Sequence, residues 1–130
     1  MSNRGQKYLL LAAEQVKKVQ GTEAADIYGG LCHNFPIMVR SLGLCQTLAY
    51  YESKTTGKDK KRCAAYEHKL SDIRAISEIP ANKVLSTYAA GLPVLEYMQL
   101  TREILDAAIY FKRFAVSLLK VESASQVEEE

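Results

Sequence analysis

Residues 93–120 read PVLEYMQLTREILDAAIYFKRFAVSLLK, and this stretch decides the fold. Ile104, Ala108, Phe111, Ala115 and Leu118 recur every three or four residues, the spacing that returns side chains to one face of an α-helix. Asp106, Tyr110, Arg113, Ser117 and Lys120 make a polar stripe on the other side, so the helix is amphipathic. Gly91-Leu92-Pro93 punctuates its start. A helix over Pro93–Lys120 spans about 40 Å at 1.5 Å per residue.

The helical period continues toward the N-terminus. Leu9, Ala12, Ala13, Val16 and Val19 predict a first helix over Gln6–Gln20, with Glu14 placed to pair with Lys18. Gly21 stops it, and Thr22 is expected to cap a second helix over Glu23–Asn34. Pro36 suits the first turn of a separate short helix reaching Leu42, and Gly43 marks a break. Thr47, Leu48 and Tyr51 share a face after that break, and Ser53–Gly57 is a loop. Asp59 caps a further helix lined by Cys63, Tyr66, Leu70, Ile73 and Ser77, and a brief helix is expected near Asn82–Ala90. No segment alternates with period two. The fold class is all-α: a compact single-domain bundle of about five to seven helices with a long C-terminal helix. Residues 1–121 form the expected helical domain, and 122–130 an acidic, disordered tail.

The chain has 130 residues and a formal charge of +2. Setting aside Glu122, Glu128, Glu129 and Glu130 leaves 11 acids against 17 bases, about +6 for the body and a lean toward polyanions. No apolar run approaches the roughly 20 residues that span a bilayer. The opening residues carry no apolar signal core, which gives a cytoplasmic expectation.

Chemistry-bearing patterns are scarce. Three separated cysteines, Cys32, Cys45 and Cys63, form neither a disulfide framework nor a zinc clip. Cys32-His33 and Cys63 with His68 match no metal spacing, and no third group orients a Cys–His nucleophile. Gly29-Gly30 lacks the Gly-Lys-Ser/Thr end of a phosphate loop. Glu96 and Glu103 read as a solvated face. Tyr51 belongs with the core, whereas Tyr50 is open to base stacking. No catalytic residue, metal, cofactor or small-molecule substrate is expected. Basic groups stand out: Lys17-Lys18, Arg40, Lys112-Arg113, and a cluster of Lys54, Lys58, Lys60, Lys61 and Arg62. Lys60 and Lys61 sit where a helix dipole disfavours cations, which points to an external anion.

Two blocks resemble a known family. NFPIMVRSLGLCQTLAYY at residues 34–51 is similar to the Pro-x-x-(Ile/Val)…Gly-Leu-x-Gln-(Thr/Ala)-Leu-Ala-(Phe/Tyr) signature of the small subunit of type III-B (Cmr) CRISPR effector complexes. Thr101-Arg102-Glu103 followed by Phe111-Lys112-Arg113-Phe114-Ala115 resembles that family's closing pattern, and Tyr8–Val19 its Ala-rich opening helix. Ser41-Leu42 stands where the family often has Asn before Gly, and Phe111 where Leu is usual. The resemblance implies a non-catalytic helical subunit whose copies stack in a ribonucleoprotein holding CRISPR RNA paired to target RNA. Its implied partners are other Cmr subunits, neighbouring copies of itself, CRISPR RNA and target RNA, with no membrane role. An A-form duplex is read through shape and backbone, so Lys17, Lys18, Arg40, Lys112 and Arg113 are the expected RNA-binding residues. Lys112 and Arg113 diverge by about 100° and serve different surfaces. A helical protein–protein adaptor without a nucleic-acid role is the alternative.

Overall fold

A computed structural model describes residues 3–124. These hold six helices and no strand: α1 (Arg4–Val19), α2 (Ala25–Leu42), α3 (Leu44–Ser53), α4 (Lys60–Ser77), α5 (Leu85–Ala90) and α6 (Val94–Leu119). The all-α class and the long C-terminal helix stand as the sequence predicts. Most of the expected tail, residues 125–130, lies outside the described residues.

Local chemistry fixes several boundaries. Asn3 caps α1 and shares a capping box with Gln6, whose backbone N–H donates to Asn3 Oδ1 at 2.8 Å. Asp59 caps α4 by accepting from the Arg62 N–H, as expected. Glu52 of α3 accepts from the Ser86 N–H and hydroxyl at 3.0 and 2.6 Å, which satisfies orphan donors at the start of the one-and-a-half-turn α5.

Three local expectations change. Thr22 does not cap α2: its hydroxyl donates back to the Val19 carbonyl at 2.7 Å, and α2 begins after Ala24 without a side-chain cap. Lys18 donates to Gln15 Oε1 at 2.9 Å rather than pairing with Glu14. Pro36 does not start a new helix, because α2 runs through it for 18 residues to Leu42. A proline inside a helix forfeits one backbone bond and costs about 3 kcal/mol. Leu31, Phe35 and Val39, all buried along the same helix, offset that loss. The break comes at Gly43, whose φ of 90° ends α2 and turns directly into α3.

α1 and α6 run parallel: Arg4 pairs with Asp106 at one end, and Gln20 Nε2 donates to the Leu118 carbonyl at the other. α2 runs against α6, with His33 Nε2 2.8 Å from the Val121 carbonyl. Gly29 lies mid-helix in α2, where a Cβ would stand 2.7 Å from Val121 side-chain atoms. Gly29 is therefore a notch that admits Val121.

The core contains a buried ion pair. Lys69, 1% exposed, holds its ammonium 3.5 Å from Asp72 Oδ2, 3.8 Å from Cys32 Sγ and 4.2 Å from the centre of the Phe111 ring. Asp72 accepts from Gln15 Nε2 at 2.7 Å and from the Tyr28 hydroxyl, with His68 Nε2 3.6 Å away. Burial pushes the Asp72 carboxyl up, opposed chiefly by the Lys69 ammonium. Burial likewise raises the Cys32 thiol and the Tyr28 phenol.

Lys69→Ala is expected to cost about 3–5 kcal/mol, because it leaves Asp72 unpaired, while Lys69→Met with Asp72→Leu recovers most of it. Urea denaturation of the singles and the double variant checks both. The raised folded pKa of Asp72 means its contribution is fully present below the unfolded value of about 3.9 and is lost as pH rises through the folded value. Wild-type stability minus that of Asp72→Asn should fall across that window.

Candidate nucleic-acid interface

The ends of four helices meet at one pole of the bundle. α1 delivers Lys17 and Lys18 in its last turn, and the Asp59 cap places Lys60 and Lys61 in the first turn of α4. Lys18, Lys60 and Lys61 line one open groove of about 340 Å³, with Val19, Ala24, Ala64 and His68 among its walls. Lys17, in the same last turn of α1, is exposed but does not line the groove. Glu23 is the carboxylate on the groove. Among the described residues, no carboxylate pairs with Lys17, Lys18, Lys60 or Lys61. The three ammonium groups of Lys18, Lys60 and Lys61 around this open groove attract an anion.

The other expected residues sit elsewhere. Arg40, exposed at the last turn of α2, is 16 residues beyond Ala24, about 24 Å along the helix from the groove. It shares a cleft of about 510 Å³ with Arg102, Tyr97, Met98 and Ile109 of α6. Val94, Leu95 and Met98 continue that face as exposed apolar side chains, Leu95 at 78%. Lys112 is half-buried, whereas Arg113 is exposed with its guanidinium 5.6 Å from the Tyr110 ring centre. The two neighbours do face different surroundings.

Arg102 stands within a quoted motif, yet its place beside Arg40 depends on α2 packing against α6. Lys60 and Lys61 stood out as basic, and only the packing of α4 on α1 brings them to Lys18. Tyr50 is not a free stacking platform: it packs edge-on to Tyr51 and Tyr66, with Lys54 Nζ 5.2 Å from its ring centre.

Both histidines are engaged within the fold. His33 meets the Val121 carbonyl, and His68 Nε2 lies 2.8 Å from the Gln15 carbonyl. Among the described residues, no group of three or more His, Cys, Asp or Glu is placed to hold a metal. No described helix is long and apolar enough to cross a membrane.

The molecule is thus a small helical bundle with a basic groove at one pole and an arginine-flanked apolar face toward the other. Residues 4–118 match the Cas_Cmr5 family of CRISPR-associated proteins, and the chain belongs to that family. It is 32% identical over 126 residues to the CRISPR system Cmr subunit Cmr5 of Thermus thermophilus, covering 92% of this chain and 99% of that protein. The crystal structure of a CRISPR-associated Cmr5 family protein from the same organism superposes with a TM-score of 0.77 at 32% identity, over 92% of this chain and 99% of the other. Within the motif that carried the resemblance, Gly43 makes the α2–α3 turn and Leu44, Leu48 and Tyr51 are buried. These residues of the block maintain the fold.

Lys60 and Lys61 oppose the α4 dipole, so Lys60→Ala with Lys61→Ala should raise stability by about 0.3–1 kcal/mol at low salt. Urea denaturation at two salt concentrations checks this, the gain shrinking as salt screens the dipole.

Proposed function

We propose that this chain is a non-catalytic, RNA-binding scaffold subunit of a type III-B CRISPR RNA-guided complex. It acts in the cytoplasm in antiviral defence, stacking with other Cmr subunits and copies of itself along CRISPR RNA paired to target RNA. The observation that carries the reading, given membership of the Cmr5 family, is the convergence of Lys18, Lys60 and Lys61 on one groove, with none of them ion-paired among the described residues. Phosphate contacts from such lysines are sequence-independent, and each displaces condensed counterions. A duplex recognised through its backbone requires nothing more elaborate.

On this reading Lys17 and Lys18 contact phosphate, Lys18 at the groove. Arg113, exposed on α6, and the half-buried Lys112 beside it are assigned to RNA as well. Arg40 is assigned to RNA with them, although the apolar side chains beside it suit a neighbouring subunit. Each subunit makes few contacts, and stacking along one strand multiplies them. The helical-adaptor reading draws on the exposed Val94, Leu95 and Met98, and salt separates the two, since apolar contacts lack the steep dependence of phosphate contacts.

Fluorescence anisotropy with a CRISPR RNA–target duplex, run across a salt series with and without partner subunits, tests the proposal. Lys17→Ala with Lys18→Ala should weaken binding and flatten the log–log salt slope by about one per lost phosphate contact. Lys112→Ala with Arg113→Ala and Arg40→Ala should each weaken binding with the fold intact. Unchanged RNA binding but lost incorporation for Arg40→Ala would move that residue to the protein–protein face. Salt-insensitive assembly with no RNA binding by the wild type would leave the adaptor.

A further inference from the structure

The groove between the α1–α2 turn and α4 holds more than a phosphate requires. Lys61, Ala64 and His68 recur every three or four residues along one face of α4, across from Lys18, Val19 and Ala24 where α1 ends and α2 begins. A phosphate keeps much of its water and is attracted by exposed ammonium groups on any surface. It has no use for the apolar walls that Val19, Ala24 and Ala64 supply. Glu23, exposed on the groove, repels it, and among the described residues that carboxylate joins no ion pair. His68 adds a second acceptor. Its Nε2 lies 2.8 Å from the Gln15 carbonyl, which only accepts, so in the neutral ring Nε2 carries the proton and Nδ1 is left as acceptor. Nδ1 makes no hydrogen bond among the described residues.

A ligand that suits all of these groups joins an anion to a flat body with hydrogen-bond donors at its edge. A nucleotide is such a molecule, and about 340 Å³ lies within the range of small-ligand pockets, roughly 300–1,000 Å³. Guanine carries two adjacent donors, N1–H and the N2 amino group, which match the two oxygens of one carboxylate. Adenine and cytosine offer one amino group beside an acceptor, and uracil a single N–H between two carbonyls. We propose that the groove binds one unpaired guanosine nucleotide, with its base between the α1–α2 turn and α4, its phosphate on Lys18, Lys60 and Lys61, and N1–H and the N2 amino group donating to Glu23. Extruding a paired base costs stacking and pairing, so the nucleotide is one already unpaired: at a bulge, a mismatch or a strand end, or free in solution. Its place in an RNA strand rests on the proposed function; the nucleotide site itself does not. The lysines still attract any sequence, and Glu23 adds a preference at one position per copy.

Two measurements on the full chain separate those claims. In fluorescence anisotropy, an RNA duplex with one bulged guanosine should bind about five- to tenfold more tightly than the fully paired duplex of equal length, and one with a bulged uridine should not. Glu23→Gln should abolish that gain while tightening the paired duplex, because a repelling charge is gone; a carboxylate that merely repels phosphate would tighten both duplexes alike. Ala64→Leu, a fold-compatible change at an exposed helix position, should also remove the gain by filling the groove. In a backbone-amide NMR titration, guanosine monophosphate should shift Ala24, Ala64 and His68 more than adenosine or uridine monophosphate, and ribose 5-phosphate should leave them unmoved. Equal affinity for paired and bulged duplexes, with no response to guanosine monophosphate, would overturn the proposal and leave the proposed function standing. A response to guanosine monophosphate without binding of any RNA would uphold the site for a free nucleotide and overturn its place in a strand. Equal gains for bulged guanosine and uridine, both kept in Glu23→Gln, would overturn the part given to Glu23.

Discussion

The buried ammonium of Lys69 sets the register of the whole bundle. It lies between Asp72, Cys32 and the face of Phe111, and Asp72 in turn gathers Gln15 from α1 and Tyr28 from α2. Four helices, α1, α2, α4 and α6, are thus tied to one polar cluster. Apolar packing tolerates a sliding helix better than a buried charge does, because displaced methyl groups find other methyl groups while a displaced ammonium finds none. A slide of α4 by one turn, about 5.4 Å, would strand both Lys69 and Asp72. The same constraint positions Asp59 and the first turn of α4, and through them Lys60 and Lys61 opposite Lys18. A core interaction therefore determines the geometry of a surface groove.

Periodicity made the framework legible. α6 and α1 emerge within a few residues of their observed ends because each buries one stripe and exposes the other. Asp59 was readable as a cap because a short acceptor side chain before a helix has one dominant use. Pro36 misled because local chemistry favours a break there, while the buried residues on either side outweigh it. Thr22 misled for a related reason, since its hydroxyl had a nearer acceptor in the turn it was expected to leave. Lys69 and Asp72 could not be recognised as core: charged residues are seldom fully buried, and their three-residue spacing equally suits an exposed ion pair. The lysines of the groove were visible singly. Their convergence is a property of helix packing, and no local pattern encodes it.

The two surfaces are chemically distinct and lie toward opposite ends of α2. Near Ala24 the surface is cationic and concave; near Arg40 it is apolar with arginines at its rim. Phosphate groups keep much of their water, and exposed lysines suit them because an ammonium stays hydrated while attracting charge. Subunit contacts require the opposite, removal of water from apolar area with charge at the edge, where planar guanidinium groups are favoured. On the proposed reading, separation by about 24 Å along α2 would let one copy engage a strand and a neighbour without the two competing for the same side chains.

That separation also bears on how strongly a single copy should bind. On the proposed reading the exposed lysines supply a sequence-independent, salt-sensitive attraction, which a cell full of RNA would satisfy indiscriminately. Selectivity must then come from assembly, in which a duplex spanning several copies gains the product of their weak contacts and a short competitor does not. Anything that weakens the single contact sharpens this discrimination, because the penalty is incurred once per copy by every ligand but is offset only by ligands that engage many. On the proposed reading, a modest affinity of the isolated subunit would be a condition of its specificity within the assembly.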